Sequence, residues 1–234
     1  METRTAILVD GGFYRKQAKL LFGDKQPKER ADELIKYCHR HLKGDIKFEQ
    51  KRLYRIFYYD CPPASKNVYH PLTKKSVNLE KTPLYKWTND FFEELAHQRK
   101  VALRMGELLE TFGGYTLKPD VIKKLCNGSK KISDLTENDF KLDIQQKGVD
   151  MRIGLDIASL AQKRLVDQII LIAGDSDFVP AAKHARREGI DFILDPMRHQ
   201  IKGNLMLHID GIKTKTGQIG SNYKDSLCNI KKTK

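Results

Sequence analysis

The sequence predicts an α/β chain of three layers, with a doubly wound, mostly parallel sheet flanked by helices. Ala6-Ile7-Leu8-Val9 and Ile169-Ile170-Leu171-Ile172 are short, unbroken apolar runs, the signature of strands buried on both faces. Segments with apolar residues at helical spacing lie between such runs, and strands alternating with helices build parallel sheets through crossover connections. Both runs also end in acidic residues, Asp10-Gly11-Gly12 and Gly174-Asp175-Ser176-Asp177. Open α/β sheets place their ligands beyond the carboxyl ends of strands.

In chain order, residues 5–10 read as the first strand. Phe13 to about Leu21 reads as a short helix with Arg15, Lys16 and Lys19 on its polar side, and 30–42 as a second helix with a partial stripe of Leu34, Ile35, Cys38 and Leu42. Leu53 to Tyr59 alternates like a strand, closed by Asp60-Cys61-Pro62-Pro63. The prolines and lysines of 62–82 predict an irregular, mobile insertion. Phe91 to Lys100 reads as a helix and Val101 to Leu109 as a strand carrying Arg104; the order within the lysine-rich stretch 118–147 stays open. Val149, Ile153, Ile157, Leu160 and Ala161 predict an amphipathic helix over 150–164. A buried strand over 167–173, a helix over 178–187 ended by Gly189, a strand over 190–194 and a short strand over 205–209 complete the pattern. The expected organisation is one domain, residues 1–212, with a basic insertion at about 62–146 and a basic polar tail at 213–234.

The 234-residue chain carries 43 Lys and Arg against 30 Asp and Glu, a net charge of +13. Residues 132–212 reverse this, with 13 acidic against 10 basic residues, and they hold Asp150, Asp156, Asp175 and Asp177. A basic chain around an acidic centre suits a polyanion whose phosphate meets metal ions; the plainer reading is that surface lysines keep the protein soluble. No apolar run is long enough to span a bilayer, and the chain enters a strand at once, so neither a membrane segment nor a secretory signal is expected. The four cysteines are far apart with no Cys-x-x-Cys spacing, which argues against a zinc site or a disulfide framework and for the cytoplasm.

Acidic side chains gathered on one rim repel one another unless a proton or a metal offsets the charge. Asp10, Asp175 and Asp177 follow strands, and Asp150 opens a helix, so a shared rim would bring four carboxylates around one cavity. Magnesium and manganese prefer such oxygen ligands. Taken singly, Asp150 and Asp177 read equally well as helix caps and Asp10 as a turn residue. Asp156 lies about 120° around an ideal helix from Asp150 and cannot share its face; it is a further metal candidate or the partner of a base such as Lys163 or Arg152. For the polyanion, Arg15 and Lys16 follow the first motif, Lys147 and Arg152 flank Asp150, and Lys74, Lys75, Arg104, Lys123 and Lys124 lie in the basic middle section. Tyr69, Tyr85 and Trp87 are placed to stack on bases.

Val9-Asp10-Gly11, Lys147-Gly148-Val149-Asp150 and Gly174-Asp175-Ser176-Asp177-Phe178 together resemble the NYN domain, in its LabA-like branch, within the PIN-like nuclease superfamily. The resemblance runs from about residue 5 to 195 and is strongest over 147–195. It implies a doubly wound fold whose clustered carboxylates hold Mg2+ or Mn2+ and cleave RNA. Carried over by motif, Asp10, Asp150, Asp175 and Asp177 are the catalytic and metal-site candidates, with Asp156 a further ligand. The expected function is therefore a metal-dependent endoribonuclease acting on RNA, with DNA a second possible substrate. One departure stands out: many members carry Asn three residues after the first Asp, where this chain has Phe13. That residue favours the competing reading, a catalytically weak or inactive RNA-binding or regulatory protein that keeps the nuclease fold. A phosphatase of the haloacid dehalogenase type is disfavoured, because its chemistry needs a second Asp two positions after the first and Gly12 stands there.

Overall fold

The computed structural model describes residues 2–43, 50–201 and 203–216. In chain order the elements are β1 (Glu2–Asp10), α1 (Gly11–Phe22), α2 (Pro27–His41), β2 (Gln50–Asp60), β3 (Asn67–Tyr69), β4 (Ser76–Asn78), α3 (Pro83–Ala96), β5 (Val101–Met105), β6 (Glu107–Leu117), α4 (Pro119–Cys126), β7 (Phe140–Lys147), α5 (Val149–Gln162), β8 (Gln168–Ile172), α6 (Val179–Arg187), β9 (Asp191–Asp195), α7 (Gly203–Met206) and β10 (Gly211–Ile212). Of the expected tail, only 213–216 fall within the described residues.

The central sheet has six strands in the order β10-β9-β8-β1-β2-β5, and every neighbouring pair is parallel. Alternation along the strands divides the core. Ile7, Val9, Ile56, Tyr58, Ile170 and Ile172 pack toward Tyr14 and Ala18 of α1, Leu34 and Tyr37 of α2, and Phe91 and Leu95 of α3. Ala6, Leu8, Phe57, Tyr59, Ile169 and Leu171 pack on the other face against Ile153 and Ile157 of α5 and Ala182 and Ala185 of α6. The three-layer, mostly parallel α/β expectation is met.

The chain departs from the expected pattern in its middle. Residues 83–105 form α3 and β5, and β5 pairs with β2 in the main sheet. Residues 62–82 hold the β3–β4 hairpin, and 107–147 form an arm in which β6 pairs antiparallel with β7, with α4 in the connection between them. The segment 62–146 is thus two excursions separated by core elements. Near the carboxyl end of the sheet, 205–209 is not a strand. The helical turn α7 occupies 203–206, and the edge strand is Gly211–Ile212 on β9. Asp210 fixes this corner by accepting hydrogen bonds from the Phe192 amide and Arg186 Nε, both at 2.8 Å.

Candidate carboxylate site

From β1 the chain proceeds to β2 and β5 on one side, while β8, β9 and β10 extend the other, so the strand order reverses between β1 and β8. That reversal opens a crevice at the carboxyl ends, the usual ligand position in such sheets. Asp10 ends β1, one residue past the Val9–Ile172 pair. Its Oδ1 accepts the Phe13 amide at 3.1 Å and caps α1. Asp175 follows β8 and accepts the Asp177 amide at 3.2 Å, starting a short 3-10 turn that presents both carboxylates to solvent. Asp177 does not cap α6, whose N-cap is Phe178. Nor does Asp150 cap α5: Gly148 holds that position in a left-handed conformation (φ 80°), leaving Asp150 in the first turn, where the helix dipole favours a carboxylate.

The four acids are electrostatically joined. Burial, reinforced by the charges of Asp150 and Asp60, pushes the Asp10 carboxyl up to about 6 against the amides of Phe13 and Gly12. Asp150 is also raised, first by burial and then by Asp175 and Asp177. The crevice is therefore a place of unrelieved negative charge made of hard oxygen donors, the chemistry that a divalent cation relieves. Among the described residues, no three carboxylate, imidazole or thiolate groups stand close enough together to hold an ion at once.

Asp156 lies apart from this set. Its Oδ2 accepts from the Tyr59 hydroxyl at 2.8 Å and Arg104 Nε at 2.9 Å, and its Oδ1 from Arg104 Nη2 at 2.8 Å. Arg104, expected to meet nucleic acid, is thus turned to a bidentate pair and also lies over the Phe57 ring. Asp195 ends β9 but is buried and satisfied by Tyr37, His41 and the Met197 amide.

The sequence reading missed Asp60. It ends β2 beside β1 and is buried, where burial raises its carboxyl and the Arg15 guanidinium opposes the shift. Its signal was the one that identified Asp10, an apolar strand ending in an acid; the Pro62-Pro63 that follows made it look like a mere terminator.

The remaining basic candidates divide. Lys16, Lys147 and Arg152 are exposed near the crevice, with Arg152 3.9 Å from Glu107. Lys74 and Lys75 sit exposed in the β3–β4 turn, and Lys123 and Lys124 on α4. Trp87 stacks on Phe91 and donates Nε1 to the Lys25 carbonyl, so its role is structural, whereas Tyr69 is exposed. Phe13 lines the β1–β8 crevice: a Cβ on Gly174 would come within 2.4 Å of its ring, and the His199 ring lies at 5.9 Å between centroids. An open cavity of about 770 Å³ lies away from the carboxylates, at the carboxyl end of α6. Its Lys183, Arg186 and Arg187 complement the helix dipole there.

Residues 116–201 match the NYN domain family, a stretch that contains Asp150, Asp156, Asp175 and Asp177 and leaves Asp10 and Asp60 outside. A comparison with curated proteins returns no match. Among solved structures, the chain is similar to a protein of unknown function from Vibrio parahaemolyticus, at 14% identity, over 91% of this chain and 92% of that one, with a TM-score of 0.43. No helix among the described residues is long and apolar enough to cross a membrane. The matched stretch, residues 116–201, resembles the NYN domain, a family of the PIN-like nuclease superfamily.

Proposed function

We propose that the protein is a metal-dependent endoribonuclease whose Asp10, Asp150, Asp175 and Asp177 hold Mg2+ or Mn2+. The observation that carries this reading is the charge stress in the crevice. Asp10 is pushed up to about 6, first by burial and then by Asp150 and Asp60, and Asp150 is raised first by burial and then by Asp175 and Asp177, in an otherwise basic chain. When bound, the cation supplies an activated water and stabilises the leaving oxygen of a phosphodiester. Asp10 and Asp175, on strand ends either side of the crevice, would be the direct ligands, with Asp150 and Asp177 acting through water, since no three of these groups stand close enough to bind an ion directly together. Lys16, Arg15, Lys147 and Arg152 receive the phosphates near the carboxylates, and Lys74, Lys75, Lys123 and Lys124 the strand farther out. Asp156 is assigned to structure instead, given its partners.

Labelled RNA and DNA, incubated with Mg2+ or Mn2+, test this. RNA cleavage is expected, stopped by chelator, and Asp175→Asn is expected to abolish cleavage while keeping or tightening RNA binding, since one negative charge is gone. Equal cleavage by wild type and variant would remove the assigned site. The second reading, an RNA-binding protein without turnover, is favoured by Phe13, whose ring occupies the crevice wall at Gly174 where many relatives carry an amide. Binding without cleavage under every metal condition is its signature.

A further inference from the structure

We propose that Asp60, together with Tyr58, is a positioning residue that fixes Arg15 as a phosphate-binding cation beside the carboxylate crevice, an inference that rests on the nucleic-acid reading above. Both oxygens of Asp60 are already engaged. Oδ1 accepts from Arg15 Nη2 at 3.0 Å and the Cys61 amide at 2.8 Å, and Oδ2 from the Tyr58 hydroxyl at 3.1 Å. A carboxylate committed in this way is not held ready for a metal. It is also fully buried, whereas the Arg15 side chain remains 25% exposed. The pair is therefore a buried anion tethering a cation that reaches the surface.

Two further details show that the tether is built into the fold. A Cβ on Gly11 would lie 2.6 Å from Asp60 Oδ2 and equally close to the Tyr58 hydroxyl, so α1 starts on glycine to admit this carboxylate. Arg15 Nε is buried with no acceptor, so the guanidinium is held through its Asp60 contact rather than by a cage of partners. Apolar side chains of similar size would generally stabilise such a site as well as a buried ion pair does. What the pair adds is orientation: a planar fork with donors left for a phosphate, five residues into the helix that Asp10 caps.

The test turns on sign. Asp60→Asn removes a negative charge, so simple electrostatics calls for tighter RNA binding, whereas loss of positioning calls for weaker binding. In an Asp175→Asn background with Mg2+, a labelled single-stranded RNA is titrated by fluorescence anisotropy across a salt series. Arg15→Gln is expected to weaken binding roughly 5- to 10-fold and to lower the slope of log K against log salt by about one. Asp60→Asn is expected to weaken binding about 3-fold or more, and the double variant to bind no more weakly than Arg15→Gln alone. Asp60→Asn binding as tightly as its parent or more so, or effects that multiply in the double variant, would overturn the proposal. Should Asp60→Asn fail to fold, Tyr58→Phe decides in its place: it removes one bond to Asp60 and is expected to weaken binding in the same direction, and unchanged affinity overturns the proposal. A parent that binds no RNA overturns the nucleic-acid reading itself, an outcome distinct from both.

Discussion

Asp10 carries three tasks in one side chain: it ends β1, caps α1 and faces the other acids of the crevice. Its carboxyl is raised to about 6, mainly by burial. Between the ordinary carboxylate range and that value, the folded form binds the proton more tightly than the unfolded chain. Stability is therefore greatest below that window and falls as pH rises through about 6. One pKa unit corresponds to about 1.4 kcal/mol, so ionising Asp10 costs roughly 2–3 kcal/mol in chelator. Asp10→Asn keeps a capping side chain and removes the titration. Urea unfolding at a series of pH values is expected to show the variant gaining on wild type by that amount between about pH 4 and 7.5; parallel profiles would refute it. Asp10, Asp150, Asp175 and Asp177 were legible because each sits at a place the local pattern marks, the end of an apolar run or the start of an apolar stripe. The pairing of Asp60 with Arg15 was not, because it spans 45 positions and depends on β1 and β2 being neighbours.

At the scale of elements, α5 is stitched to the sheet through Asp156, beyond its apolar face. Asp156 receives Tyr59 from β2 and Arg104 from β5. Asp156→Ala is expected to leave the Tyr59 hydroxyl without its acceptor and to cost about 1–3 kcal/mol by thermal or denaturant unfolding. Cleavage per folded molecule is expected to persist; its loss in a folded variant would return Asp156 to the metal ligands. The last third of the chain was legible element by element, because α5, β8, α6 and β9 follow one another with strong periodicity. The arm was not, since β6 and β7 find each other across the 118–139 connection and no local turn signal announces the pairing. Leu205 and Ile209 misled for a related reason: both are buried, but a helical turn and a corner bury them rather than a strand.

For the whole molecule, a net charge of +13 stands against a crevice that is itself acidic. Association with RNA would then be driven by lysines and arginines outside the crevice, and five phosphate contacts to a single strand would cost roughly 100-fold in affinity between about 50 and 200 mM salt. An anisotropy series showing a flat response would remove the basic surface from the account. The three-layer architecture was readable at this scale because strands buried on both faces must be apolar where they are buried, and Ala6 to Val9 of β1 and Ile169 to Ile172 of β8 are.

The base of the arm has a consequence of another kind. Glu107 pairs with Lys147, so the chain leaves the core and returns to it at almost the same point, between β5 and the helix that carries Asp150. Beyond that pair, lengthening or shortening the arm alters no strand order in the central sheet, and the arm also contacts the β3–β4 hairpin, where His70 packs against Tyr115 and Phe140. Doubling such a loop changes the closure entropy by only about 0.6 kcal/mol. The arm can thus change length at a small thermodynamic cost without disturbing the order of the sheet that carries Asp10 and Asp175.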